Sequence, residues 1–270
     1  MKETDEPASP GRIPVRINDV SVDHTGTWLQ KGWRDVRDAP LESLLYGGFF
    51  TAVGYLLTFG LHDAGLGSLV LPLSGGFLLI APILAVGLYS IAREREAGRK
   101  PTFLSMWAGV APNFGQIAIM GVLMMMFFFW WALIARALFA IFFVGEPLTM
   151  DHFVRNVLFS TSGIWMIAVG TVVGGILAGI LFSMSVVSIP LLLDRDIDVA
   201  TAITVSILVC KHNPRAMFGW AAALGVISAF AMALFFIGLA VALPMLAYAS
   251  WHAYRDLVTV RDGAELDIAV

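Results

Sequence analysis

The feature that constrains this chain most is a series of apolar blocks longer than the strands and core helices of soluble domains. Four blocks cover residues 44–61, 69–92, 114–144 and 159–193, and a fifth covers 217–254. A helix needs about 20 apolar residues to cross the roughly 30 Å hydrocarbon core of a bilayer. Only 14% of the residues are charged, against about 25% in soluble domains, and all of them except Arg136 lie outside the blocks. The pattern predicts an all-α, polytopic transmembrane helical bundle.

The fifth block is too long for one ordinary span, because a single helix of that length would reach about 57 Å. An internal comparison favours a hairpin of two spans. The second block ends in segment 82–93 and the fifth in 244–255, and both segments begin with proline and end with arginine. Gly76 and Gly238 each lie six residues before that proline. We therefore predict about six spans, near residues 43–61, 69–92, 114–135, 160–190, 215–231 and 233–254.

A short amphipathic segment precedes each odd-numbered span and finishes at Pro40, Pro112 or Pro214. The apolar positions follow helical spacing: Leu29, Gly32, Trp33 and Val36; Phe103, Met106, Trp107 and Val110; Val199, Ala202, Ile203 and Ile207. Thr102 and Asp198 are favoured helix caps. We interpret the segments as interfacial helices, the alternative being re-entrant or catalytic elements. The chain then reads as three pseudo-repeats of a surface helix plus a two-span hairpin, with Trp33, Trp107, Ile203 and Lys211 facing lipid.

The distribution of charge predicts the orientation. Six spans place all but two of the 17 Lys and Arg on one side, leaving Arg136 and Arg155 on the other. The positive-inside rule makes the first side cytoplasmic. We expect a disordered or extended cytoplasmic head (1–27), a transmembrane domain (28–255) and a cytoplasmic tail (256–270). Trp220 and Trp251, near inner cations, are expected to be interfacial anchors.

Candidate chemistry is sparse. The predicted spans contain no acidic residue, which argues against proton- or ion-coupled transport. Arg136 is interpreted as a snorkelling side chain at the outer headgroups, with a substrate-binding arginine as the alternative. Two His–Asp neighbours in the outer loops form a weak candidate site for Zn²⁺ or another divalent cation, or are solvated loop residues: His62, Asp63, Asp151 and His152. Enzyme motifs, a nucleic-acid-binding pattern and an implied cofactor are absent from the sequence.

Small residues recur every fourth position in the fourth predicted span. One row contains Thr171, Gly175, Gly179 and Ser183, and a second contains Gly170 and Gly174. Such rows allow helix backbones to approach closely. They predict helix packing within the chain, or else self-association or contact with another membrane protein.

Three segments carry a resemblance to a known group: residues 28–48, the basic turn 93–101 and the ending 244–257. The chain resembles a bacterial family of predicted integral membrane proteins of unknown function, some of whose members are labelled cytochrome c oxidase subunits. The resemblance implies a six-span protein of the bacterial inner membrane and brings no catalytic residues. Haem and copper sites inside a membrane need several histidines, and no predicted span has one near its middle.

Two functions remain as hypotheses. The first is an accessory, scaffold or assembly protein without catalytic chemistry, whose partners are the lipid bilayer and other membrane proteins. The second is a transporter or channel for a small or apolar solute. A core filled by Leu, Phe and Ala favours the first, and a polar central cavity favours the second.

Overall fold

Helices account for most of the chain in the computed structural model, which describes residues 15–143, 160–234 and 236–260. The elements in chain order are β1 (Val15–Ile17), α1 (His24–Asp38), α2 (Pro40–Asp63), α3 (Val70–Leu84), α4 (Val86–Glu96), α5 (Phe103–Ala108), α6 (Phe114–Phe142), α7 (Thr161–Ser185), α8 (Ser188–Asp194), α9 (Val199–His212), α10 (Pro214–Ala233), α11 (Leu239–Leu257) and β2 (Val258–Val260). Short 3-10 helices at Gly67–Leu69 and Ala111–Asn113 precede α3 and α6.

Within the described part of the chain, five segments are long and apolar enough to cross a membrane. They are Pro40–Asp63, Pro72–Glu96, Ala111–Phe142, Thr161–Asp194 and Pro214–Ala233. The prediction of a transmembrane helical protein is therefore confirmed. The helix α11 is not one of the five, and polar residues in its second half lower its mean hydropathy.

The last apolar block is divided, as the sequence predicts. The helix α10 ends at Ala233 and α11 begins at Leu239. Between them Phe236 has a φ of 62°, a left-handed conformation that is uncommon for a bulky residue. The chain reverses here, because α11 packs alongside α10 and α2.

The second and fourth blocks each provide one membrane-crossing segment, and each segment contains a break between two helices. The first break lies at Ala85, between α3 and α4, and the second at residues 186–187, between α7 and α8. Pro82 and Pro190 lie close to these breaks. Pro190 removes a backbone N–H and crowds the turn before it, where α7 ends, whereas α3 continues through Pro82 for two further residues. The helix α11 contains Pro244 and continues through it.

The helix α11 forms the centre of the bundle. Most of its side chains are buried, including Tyr248, Trp251 and Tyr254. The helices α1 and α2 lie antiparallel to it and approach closely at Gly32 and Gly47. A Cβ atom at Gly32 would lie 2.5 Å from the carbonyl oxygen of Met245, and one at Gly47 would overlap the backbone of Ala240. Glycine at these positions is what allows the backbones to touch.

The two ends of the described chain are joined. The strands β1 and β2 pair antiparallel, with Val15 opposite Val260 and Ile17 opposite Val258. Residues 15–27, predicted as part of a disordered or extended head, therefore contain a paired strand and the first turn of α1. The start of the predicted tail is also ordered, because Asp256 lies in α11 and residues 258–260 form β2.

The three predicted surface segments all form helices: α1, α5 and α9. The side chain of Asp198 caps α9 by accepting a hydrogen bond from the N–H of Thr201 at 2.9 Å, which confirms that prediction. Pro40 and Pro214 each occupy the first helical position of the next span, as predicted. Pro112 instead lies in the 3-10 helix before α6.

Candidate functional site

Polar and aromatic side chains occupy the second half of α11, in the centre of one end of the bundle. Successive residues of a helix point about 100° apart, so these side chains reach α1, α4 and α8 in turn. They meet carboxylates and cations from those helices. We call the resulting cluster the polar base; it comprises Asp35, Arg95, Glu96, Asp194, His252, Arg255 and Asp256.

Asp35 joins three helices. Its carboxylate lies 2.7 Å from Nε2 of His252 on α11 and 3.7 Å from Nη1 of Arg95 on α4. Arg95 also pairs with Asp38 at 2.6 Å. Asp35 is only 9% exposed, so this carboxylate depends on its partners for the polar contacts that water would otherwise give.

Arg255 joins α11 to α4 and α8. Its Nε donates to Glu96 at 3.0 Å, and its Nη1 lies 3.5 Å from the carboxylate of Asp194. Two aromatic side chains donate further hydrogen bonds to the same two carboxylates. Trp251 Nε1 donates to Glu96 at 3.0 Å, and the Tyr254 hydroxyl donates to Asp194 at 2.8 Å. Each carboxylate therefore accepts from two α11 side chains.

Asp256 ties the end of α11 to the start of α1. It accepts a hydrogen bond from Trp28 Nε1 at 2.8 Å and pairs with Lys31 at 3.3 Å. The ring of Trp28 is fully buried and packs edge-on against Trp220, with the ring centroids 5.4 Å apart. At this end of the bundle, therefore, the ion pairs lie next to a packed pair of buried tryptophan rings.

Asn113, just before α6, holds the end of α8. Its Nδ2 group donates to the carbonyl oxygens of Leu192 and Arg195 at 3.1 Å and of Ile197 at 3.0 Å. Arg93 of α4 donates to the carbonyl of Leu193 beside them. The last carbonyls of a helix have no partner within the helix, so these two side chains supply what the end of α8 lacks.

Asn213, just before α10, has a comparable role for the N-terminal segment. Its Oδ1 accepts from the N–H of Val20 at 3.0 Å, and its Nδ2 donates to the carbonyl of Asn18 at 3.0 Å. Asn213 is 5% exposed. Neither asparagine and none of the carboxylates of the polar base could be predicted as a contact site, because an isolated polar residue outside a spacing pattern gives no signal in the sequence.

Chemically, the polar base is a set of mutually paired charges. Asp35, Glu96, Asp194 and Asp256 each face a cation or histidine and accept further hydrogen bonds. Charge-assisted hydrogen bonds of this kind fix orientation strongly. The arrangement is suited to holding α1, α4, α8 and α11 at fixed angles.

The two rows of small residues have different surroundings. Gly174 lies against α6, where a Cβ atom would come within 2.8 Å of the Trp131 ring, and Gly170 lies near Leu138. Thr171 is exposed, and a Cβ atom at Gly175 or Gly179 would meet nothing within 4 Å. Ser183 is half-buried, and its hydroxyl donates to the carbonyl of Ile180.

The candidate cation site is only partly described. His62 and Asp63 are exposed at the end of α2. Asp151 and His152 lie outside the described residues. Among the residues that the structure describes, no group of three or more His, Cys, Asp or Glu side chains is arranged to hold a metal ion.

The residues predicted to face lipid differ in exposure. Trp33 is 42% exposed and Trp107 is 75% exposed, whereas Ile203 is half-buried and Lys211 is exposed. Contact of these side chains with lipid stays a prediction.

Two tryptophans expected as interfacial anchors are instead buried in protein. Trp220 packs against Trp28, and Trp251 binds Glu96. Both face the crowded centre of the bundle because α1 covers α10 and α11 at this end.

The single cysteine, Cys210 on α9, is also largely covered, and burial raises the pKa of its thiol to about 11. A thiol with so high a pKa is unreactive at neutral pH.

A small apolar cavity of about 70 Å³ lies between α2 and α3. Its walls include Phe50, Leu57, Leu73, Phe77 and Phe236. Hydroxyl groups in the wall bond within their own helices: Thr58 donates to Gly54 and Ser74 donates to Val70. Because both hydroxyl groups are already hydrogen-bonded, a molecule in the cavity would meet mainly hydrocarbon side chains.

A protein-family model described as "Predicted integral membrane protein (DUF2189)" matches residues 70–194. No curated protein and no solved structure matches the chain. The matched region runs from α3 through α8 and contains the basic turn 93–101. Over these residues the chain is similar to that family, and with its membrane-crossing helices it is an integral membrane protein.

Proposed function

We propose that this chain is a non-catalytic accessory, scaffold or assembly protein of a larger complex in the bacterial inner membrane. The observation that carries the proposal is the filling of the bundle. The buried core consists of Leu, Ile, Val, Ala, Met, Trp and Tyr side chains. The charges of the polar base are paired with one another, so they join helices and are not aimed at a solute.

We propose six spans, with α11 as the sixth. The supporting observation is that β1 and β2 pair, so the described chain begins and ends at the same end of the bundle. A chain that starts and finishes on one side crosses an even number of times. The helix α11 has 19 residues, about 28 Å of helix, which suits a span whose polar half is covered by protein.

Both termini are proposed to be cytoplasmic. The polar base lies at the end that carries the inner cations, among them Arg93, Arg95, Lys211, Arg215 and Arg255. An excess of Lys and Arg marks the cytoplasmic side. Arg136 is exposed near the opposite end of α6, about 33 Å from the start of that helix, where a snorkelling side chain reaches headgroups.

We also propose that the chain consists of three pseudo-repeats, each a surface helix followed by a two-span hairpin. The support is the way in which the ends of the three hairpins, each of which begins with a proline, pack together. The segments that follow Pro82, Pro190 and Pro244 are the most buried parts of the even-numbered spans. They contact one another through α4, α8 and α11. Equivalent segments would thus form the centre of the bundle, with α1, α5 and α9 around them.

One observation favours the alternative, a transporter for a small apolar solute. The cavity between α2 and α3 is apolar and lies within two spans. It has room for only a few carbon atoms, which makes it a weaker basis than the filled core.

Purification of the tagged full-length protein in mild detergent, with mass spectrometry of what accompanies it, tests the proposal. We expect one or a few membrane proteins in fixed stoichiometry. Uptake of a solute by proteoliposomes containing the pure chain, with no accompanying protein, would overturn the accessory role.

Reporter fusions after Gly65 and Val270 test the topology: we expect the first outside and the second in the cytoplasm, and a periplasmic C-terminus would refute six spans.

A further inference from the structure

We infer that the outer face of α1, formed by Trp33, Arg34 and Arg37, binds the phosphate of an anionic phospholipid. The acyl chain of that lipid lies against Leu41 and Leu44 at the start of α2. The inference rests on the chain lying in a membrane and is independent of the accessory role.

The first argument is charge. Lys31 is engaged by Asp256 at 3.3 Å, and Asp38 is engaged by Arg95 at 2.6 Å. Arg34 and Arg37 are both exposed, and within the part of the chain that the structure describes neither has a carboxylate partner. Residues three apart share one side of a helix. The two guanidinium groups therefore form a local excess of two positive charges on one surface.

The second argument is the apolar surface beside those cations. Trp33 is 42% exposed on α1, and Leu41 and Leu44 are 64% and 50% exposed on α2. Gly32 and Gly47 both lie against the backbone of α11, which shows that α1 and α2 turn the same side toward the bundle. The exposed residues of both helices therefore lie on the side away from it.

The order of these side chains matches the order of groups in a phospholipid. Guanidinium groups bind phosphate oxygens in a two-pronged geometry. Tryptophan is favoured at the headgroup boundary, and Leu41 and Leu44 begin a helix apolar enough to cross the membrane. A free phosphate ion would use the arginines alone and would not need the tryptophan or the leucines.

The other surface helices lack this combination in what is described of them. The helix α5 exposes Leu104 and Trp107 but its sequence contains no cation. The helix α9 carries the exposed Lys211, but its apolar residues Val205 and Val209 are buried against the bundle. The headgroup site is accordingly assigned to α1.

Native mass spectrometry of the full-length protein, delipidated in detergent, tests the site. The probes are dioleoyl-phosphatidylglycerol, dioleoyl-phosphatidylcholine and inorganic phosphate. The variant is Arg34→Gln/Arg37→Gln. The control is Arg16→Gln/Lys100→Gln, which removes the same charge at exposed positions of the same end. Thermal unfolding of all three proteins shows whether each variant is folded.

We expect the α1 variant to bind phosphatidylglycerol about 25-fold more weakly, since each of the two cations near an anionic surface adds about a factor of five. The control should bind it within about twofold of wild type, and phosphatidylcholine binding should not change in either. Equal loss in both variants would mean that only overall charge matters and would overturn the site. No loss in a folded α1 variant, or inorganic phosphate binding as tightly as the lipid, would overturn it as well.

Discussion

Replacing Asn113 by leucine removes the donor group that holds the end of α8 while keeping the side chain close to its original size. Asn113 makes no capping hydrogen bond to α6, so its side chain serves the carbonyls of residues 192, 195 and 197 alone. The substitution therefore isolates one connection between the third span and the end of the fourth.

The magnitude follows from those three bonds. Asn113 is 8% exposed, so water cannot replace the amide in the variant. A net intramolecular hydrogen bond is worth about 1 kcal/mol, and a buried acceptor left without a partner costs about 1–3 kcal/mol. Two N–H groups shared among three carbonyls give an expected loss of about 2–4 kcal/mol in the free energy of unfolding. The melting temperature should fall by roughly 5–10 °C.

The assay is thermal unfolding of purified protein in detergent, followed by tryptophan fluorescence. The control is Gln30→Leu, which changes an exposed amide on α1 in the same way. We expect that control to lie within about 0.5 kcal/mol of wild type. If Asn113→Leu melts together with Gln30→Leu, the three hydrogen bonds do not support α8 and the reasoning is refuted.

Two further predictions concern α7 and α9. Gly174→Leu should destabilise the fold by about 1–3 kcal/mol, because its side chain would meet Trp131, whereas Gly175→Leu should leave thermal unfolding unchanged and weaken any self-association seen by cross-linking. A similar loss of stability in both variants would contradict the assigned packing. Asp198→Ala should cost about 1 kcal/mol at neutral pH through loss of the cap. Hydrogen bonds from the Thr201 side chain and N–H lower the pKa of Asp198; its contribution is therefore complete above the unfolded pKa near 4 and lost on acidification. Urea unfolding at pH 7 and pH 3 should show the difference between wild type and Asp198→Ala narrowing, and a constant difference would argue against the charged cap.

Features with a local cause could be predicted from the sequence. Pro40 and Pro214 begin helices because proline suits the first turn, where its missing N–H has no role. Asp198 caps α9 because its carboxylate reaches the N–H of a residue three positions ahead. The division of the last block followed from its length, since one helix would greatly exceed the bilayer, and from the similar endings of the second and fifth blocks.

Features that depend on distant partners could not be predicted in the same way. The carboxylate of Asp35 becomes important because His252 and Arg95 meet it from two other helices. The sequence places Trp251 beside Arg255 as a membrane anchor, but the ring is buried because α1 and α4 pack over this part of α11, and Glu96 of α4 accepts its indole N–H. The break at Ala85 gives no signal in hydropathy, since both sides of it are apolar.

The pairing of β1 with β2 also bears on how the protein is made. Ribosomes release the N-terminal end first, yet α1 and β1 find their partners in α11 and β2, the last described elements. Contacts at so great a separation along the chain form slowly. The first span, α2, must therefore insert into the membrane before it packs against α11. Its many exposed apolar side chains allow it to remain in contact with lipid until α11 is made. The packing of α1 and β1 against α11 and β2 is therefore completed only after translation. A stop codon placed before residue 239 should yield chains that insert into the membrane but lack these contacts, and quality-control proteases should degrade them.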